Sequence, residues 1–161
     1  MGDLIVKEAK FGKGVFANRN FKKGEQISEF HGKVFSTKEV PTPYNEVEDH
    51  YVQVDEDLFM GPSGGLDDFF NHTCNPNAGV KIKMGKMALI AITNIKKGKE
   101  ITWDYSTTMD DPEGWTMDCA CGSKNCRKKI GNFKDLPKKL QQKYIKLGIV
   151  PAFILENLKK N

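Results

Sequence analysis

A chain of 161 residues lies within the range of one compact domain and is short for two. Hydrophobic residues make up 39%, enough for a real core, and 29% are charged, which predicts solubility and excludes a low-complexity chain. No apolar run approaches the roughly 18 residues that cross a bilayer. The opening MGDLIVKEAKFGKGVF lacks the basic-then-apolar layout of a secretory signal, and Val6 stands where a myristoylation motif needs Ser or Thr. A cytoplasmic or nuclear protein that is not secreted is the expectation. There, four cysteines favour metal ligation over disulfides.

The net charge of +4 is unevenly spread. Residues 39–68 hold nine carboxylates and no Lys or Arg, whereas residues 122–161 hold eleven Lys or Arg against Asp135 and Glu156. One reading is two solvated faces. The other is two opposite surface fields, one suited to a basic ligand and one to an acidic ligand.

In chain order, GVFANRNFKKGEQISEF predicts short strands turning at Lys22-Lys23-Gly24, where Gly supplies positive φ. Pro41 and Pro43 predict an irregular insert, and YVQVDEDLFM a hairpin tipped by Asp55-Glu56-Asp57. ALIAITNIKKGKEITWDY repeats the earlier turn, NIKKGKEIT echoing NFKKGEQIS; two hairpins meeting the same turn requirement explain this more simply than a true repeat. STTMDDPEGW reads as loop. In LPKKLQQKYIKLGIV, Asp135 can cap a helix, Pro137 suits its first turn and Gly148 its stop, with Leu140, Tyr144 and Leu147 on one face. PAFILENLKKN predicts one more short helix, whose Phe153, Ile154, Leu155 and Leu158 suit a channel closure or a dimer contact. The fold class expected is mostly β with short helices.

Cys119, Cys121 and Cys126 form a C-x-C-x4-C arrangement, and the one cysteine left is Cys74. A structural zinc takes four ligands in a tetrahedron, so these four residues predict one zinc that staples residues 119–126 to the loop around Cys74. Four thiolates leave no open position for catalysis at the ion.

These motifs, in this order, carry a resemblance. GKGVFA (beginning at Gly12), GEQISEFHGKVFS, FFNHTCNPN, ALIAITNIKKGKEITWDY and CACGSKNCR are similar to the successive motifs of SET-domain protein lysine methyltransferases with a C-terminal post-SET zinc module. The resemblance implies a SET fold of small curved β-sheets with a knot-like crossing of segments 71–77 and 101–105. It implies a SET domain over 1–110 with a variable insert about 36–66, a post-SET zinc segment over 111–131, and a basic helical tail over 132–161.

The activity implied is in-line transfer of a methyl group from S-adenosylmethionine to a lysine ε-amine, with alignment and electrostatics as the protein's main work. Tyr105 is the implied catalytic residue. Donor contacts are implied for Gly12, Lys13, Gly14, Val15, Phe16, Asn71, His72 and Tyr105, and a substrate channel for Phe30, His31, Trp103 and Tyr105. Two positions depart from the family: Lys13 stands between the glycines where relatives often carry an aromatic, and Phe30 stands where many carry tyrosine. The acidic block suits a lysine-rich histone or histone-like substrate, the Lys-rich tail suits nucleic acid, and no membrane partner is expected. Two competing readings are a SET-like module that only binds a basic peptide and a zinc-stabilised nucleic-acid-binding protein. Oligomeric state has no signature in the sequence.

Overall fold

The computed structural model describes residues 2–40, 51–83 and 86–160, so Pro41, Pro43 and three carboxylates of the acidic block lie outside the described residues. Eight short strands fill the first half: β1 (Leu4–Glu8), β2 (Lys13–Ala17), β3 (Gln26–Glu29), β4 (Val34–Ser36), β5 (Val52–Asp55), β6 (Leu58–Met60), β7 (Ala78–Lys83) and β8 (Lys86–Ala91). They form sheets ordered β1-β2, β3-β8-β7 and β4-β6-β5, all antiparallel. A two-residue pair, β9 (Met117–Asp118) with β10 (Lys129–Ile130), frames the cysteine-rich loop. Helices α1 (Lys138–Leu147) and α2 (Ala152–Lys160) follow. The chain is mostly β with short helices, as its patterning predicts.

Period-two alternation sets the central sheet. In β8, Met87, Leu89 and Ala91 point inward and are buried, and they meet Val15, Val80, Ile101 and Trp103 in the main core. The β5–β6 hairpin turns at the acidic tip that its sequence predicts.

The two Lys-Lys-Gly turns do something other than close hairpins. β2 pairs with β1 and β3 with the distant β8, and the turns pair with each other. Phe21 and Ile95 exchange both backbone hydrogen bonds, at 2.8 and 2.9 Å. The Asn20 side chain accepts from the Lys97 NH at 2.8 Å, and Asn94 accepts from the Lys23 NH at 2.9 Å. Gly24 and Gly98 occupy matching positive φ of 89° and 85°. The likeness of the two stretches is therefore the likeness of two halves of one reciprocal contact.

Segments 71–77 and 101–105 lie zipped together. His72 bridges Trp103 in parallel, the Thr73 NH donates to Trp103 O at 3.0 Å, and Asn77 clamps the partner backbone through Glu100 O and the Thr102 NH.

The helical tail is part of the fold. Phe133, Tyr144, Ile149, Val150, Phe153 and Ile154 form a second core with Ile92 and Ile82. Phe153 and Ile154 are thus buried inside the tail's own core, which leaves neither for a channel or a dimer. Helix α1 starts after Pro137 without a side-chain cap, and Asp135 sits one turn earlier in a separate 3-10 turn (Phe133–Asp135). Gln141, buried, holds that turn by donating to the Lys134 and Leu136 carbonyls. The helix stops at Gly148 in the left-handed conformation, as expected.

Candidate active site

The loop leaving the 3-10 turn Leu66–Phe69 delivers Phe70, Asn71 and His72 beside the strand-like segment that ends in Tyr105. Two cavities of different character meet there. The narrower, about 60 Å³, is walled by aromatics including Phe30, Phe70, Trp103 and Trp115, with Asp67 and Asp68. The wider, about 710 Å³, is lined by Gly12, Lys13, Asn71, His72 and part of the cysteine loop, Cys119 to Cys121. Tyr105 and Asp68 line both.

Tyr105 is held on three sides. Its hydroxyl donates to Phe70 O at 2.9 Å, its backbone NH donates to His72 Nδ1 at 3.2 Å, and its ring lies 4.9 Å from Trp103. Phe30 packs against Phe70 and edge-on against Trp103, at centroid distances of 5.8 and 6.3 Å. Phe30, Trp103 and Tyr105 therefore come together. His31 does not join them: its side chain is exposed, and its backbone NH is engaged by the buried Asp67 at 2.9 Å.

In the wider cavity, both Asn71 Nδ2 hydrogens are committed, to Lys13 O at 3.0 Å and Glu100 Oε1 at 2.8 Å, which leaves its carbonyl oxygen, an acceptor, as the uncommitted end of the amide. Gly14 is required by the protein itself: a Cβ there would lie 2.9 Å from Asn71 Nδ2 and closer still to Glu100. Val15 is fully buried in the core and Phe16 lies beneath Lys7, so neither side chain lines the cavity. Lys13 lies in it, 5.6 Å from the Phe69 ring. Lys10 clasps the two walls, its Nζ donating to Ala120 O at 2.7 Å.

The His72 ring faces inward. Burial, helped by Arg127 and opposed by Asp104, lowers its pKa to about 4, so it is neutral at pH 7. With Nδ1 accepting from Tyr105, the proton resides on Nε2, 3.5 Å from Cys74 Sγ. The parallel bridge uses the groups that flank His72, which leaves its own NH and carbonyl directed away from Trp103.

One residue central to this arrangement lies inside the ITWDY stretch, where the resemblance assigns it no role. Asp104, fully buried between Trp103 and Tyr105, accepts both Arg127 guanidinium hydrogen bonds at 2.8 and 2.7 Å and the Tyr144 hydroxyl at 2.9 Å. Burial works against the Arg127 charge, but Asp104 more than offsets this and holds its pKa above the ordinary value. Burial and then the Asp104 charge raise that of Tyr144, which stays a donor. The segment ending in Tyr105, the cysteine loop and α1 thus share one carboxylate. The signal available was an acid inside an apolar strand end, with an Arg directly after the last cysteine.

The four cysteine sulfurs lie within 4.8 Å of one another. Cys119 Sγ is 3.8 Å from both Cys74 and Cys126. Zinc–sulfur bonds of about 2.3 Å give tetrahedron edges of about 3.8 Å, so the donor set fits zinc. Although burial opposes it, the Cys74 backbone and Ser123 lower the Cys121 thiol to about 5, while burial pushes Cys74 up to about 12. A cation is what would make all four thiolates at once. Cys74, Cys119, Cys121 and Cys126 would hold it as a staple. Chelation is expected to lower Tm by about 10 °C and to weaken any ligand of the wider cavity, with recovery on adding zinc. A melting curve indifferent to chelator, in protein shown by metal analysis to have carried zinc, would contradict this.

Residues 12–106 match the SET domain family. The chain is 32% identical over 128 residues to the histone-lysine N-methyltransferase trr of Drosophila melanogaster, covering 73% of this chain and 5% of that protein. It is 28% identical over 146 residues to the histone-lysine N-methyltransferase ASHH3 of Arabidopsis thaliana, covering 83% and 39%. A crystal structure of KRYPTONITE with mCHH DNA, an H3(1-15) peptide and SAH superposes with a TM-score of 0.62 at 27% identity, over 78% of this chain and 29% of that one. The chain therefore spans well under half the length of each of these proteins. With the family's match running through the loop, the zipped segments and the residues around Tyr105, this chain belongs to the SET-domain family.

Proposed function

We propose that this chain is an S-adenosylmethionine-dependent protein lysine N-methyltransferase acting on a lysine-rich, histone or histone-like protein in the cytoplasm or at chromatin. The observation that carries the reading is the meeting of a wide, partly polar cavity and a narrow aromatic one at Tyr105. Relatives named histone-lysine N-methyltransferase, and a neighbour holding SAH and an H3 peptide, support it. No helix among the described residues is long and apolar enough to cross a membrane.

In this reading Gly12, Lys13, Asn71, His72 and Tyr105 border the donor, with Gly14, Val15 and Phe16 contributing backbone; residues 111–131 form the zinc segment behind it. Bound there, S-adenosylmethionine supplies an activated methyl group. The Asn71 carbonyl oxygen would be available to the donor's ammonium, and the His72 backbone to its adenine. Phe30, Trp103 and Tyr105 strip water from the substrate lysine. Burial in that aromatic channel and the positive charge of the bound donor would lower the lysine pKa from about 10.4, against the pull of Asp67 and Asp68 at the cavity. The amine can then be uncharged for attack without a strong base. Asp67 and Asp68 draw the ammonium in, and Tyr105 orients the free amine.

The test is transfer of labelled methyl from S-adenosylmethionine to core histones, other basic chromosomal proteins and a basic-peptide array. The expected results are labelled lysine and a donor-dependent rise in Tm. Absence of both from folded, zinc-loaded protein would favour a module that only binds basic peptides. We also propose that the Lys-rich tail contacts nucleic acid.

A further inference from the structure

The basic residues of the tail form a surface with a definite shape. In α1, Lys138, Lys139, Lys143 and Lys146 are all exposed, while Leu140, Tyr144 and Leu147 face the core. At 100° per residue, Lys139, Lys143 and Lys146 fall within an arc of about 60°, in a stripe about 10 Å long. The helix contains no carboxylate, and none of these lysines joins an ion pair among the described residues. Like charges at i, i+4 and i, i+3 disfavour a helix, so this face keeps an arrangement that local stability opposes.

We infer that the exposed lysine face of α1 forms a docking surface for the phosphate backbone of duplex DNA. Charge complementarity selects a polyanion. The composition of the face selects a duplex over a single strand. Single-strand binders present aromatic side chains for base stacking, and here the one exposed Phe, Tyr or Trp among the described residues is Phe11, in the wall of the donor cavity. A row of lysines suits contacts to phosphates, which position a protein on the duplex without specifying its sequence.

This inference deepens the proposed function and rests on it for its purpose. A basic substrate wrapped in DNA presents an acidic groove with repulsive phosphates. A lysine stripe on the tail offsets that repulsion and lets the enzyme rest on the duplex while the groove takes the protein.

The experiment compares the wild-type chain with a K139Q/K143Q/K146Q variant, in which Gln preserves helix propensity. Binding to a short labelled duplex is followed by anisotropy across a salt series. The wild type should bind with steep salt dependence, and the variant's log–log slope should be shallower by about 3, roughly one for each phosphate it no longer neutralises. An unchanged Tm shows that folding is intact. Methyl transfer to a free peptide should be unchanged in the variant, while transfer to the same protein on DNA should fall. Absence of duplex binding, an unchanged slope, or preference for single strands would overturn the surface. Failure of all methyl transfer with the slope difference intact would sink the enzyme reading alone.

Discussion

Replacing Asp104 with Ala is expected to cost about 3–5 kcal/mol of stability and to lower Tm by roughly 10–15 °C. The loss comes less from the interactions removed than from what stays behind. Arg127 would remain partly buried with its charge uncompensated, and its Nε already has no partner among the described residues. Tyr144, fully buried, would lose the acceptor of its hydroxyl proton. Tyr144→Phe removes one hydrogen bond to a charged group and should cost less, about 1.5–3 kcal/mol. Denaturant melts of the two single variants and the double variant separate the terms. An Asp104→Ala protein that melts within a few degrees of wild type would show that the three elements hold together without this carboxylate.

Tyr105→Phe should lower methyl transfer by about 100-fold while leaving the fold nearly untouched. The hydroxyl is bonded to the Phe70 carbonyl at 2.9 Å, and losing one neutral hydrogen bond costs about 1 kcal/mol. The ring would keep its packing on Trp103 and His72. Tyr105 borders both cavities, and in the proposed reading its hydroxyl would act where the two meet. The effect should therefore fall on kcat, with donor affinity close to wild type. Loss of donor binding with kcat unchanged would instead make Tyr105 a wall of the donor cavity alone.

What the sequence disclosed and what it hid divide along a physical line. Strand alternation, as in Met87, Leu89 and Ala91, and the left-handed stop at Gly148 are local properties, legible in a few residues. The cysteine cluster is not local, yet four residues of one scarce type leave one way to complete a tetrahedron. Asp104 had only a weak signal, an acid at an apolar strand end. Its partners lie 23 and 40 positions away, and neither Arg nor Tyr is scarce enough for elimination to pair them with it. Gly14 was legible as a position without a side chain, but not that a Cβ there would meet Asn71 and Glu100. His31 looked like a channel residue because it follows Phe30, but its side chain points to solvent and its backbone serves Asp67.

The reciprocal pairing of the two Lys-Lys-Gly turns bears on how the chain reaches its native state. Its side-chain clamps join residues 71 and 77 positions apart, so loop-closure entropy must be met before either turn is secured. Strand β3 likewise waits for β8. A high contact order of this kind predicts slow folding, with β3 and the turn before it left unpaired until residues 86–99 arrive. On the ribosome, a nascent chain ending before Lys86 already holds β1 to β7, yet neither β3 nor β7 has its partner. The central sheet closes only after β8 has emerged.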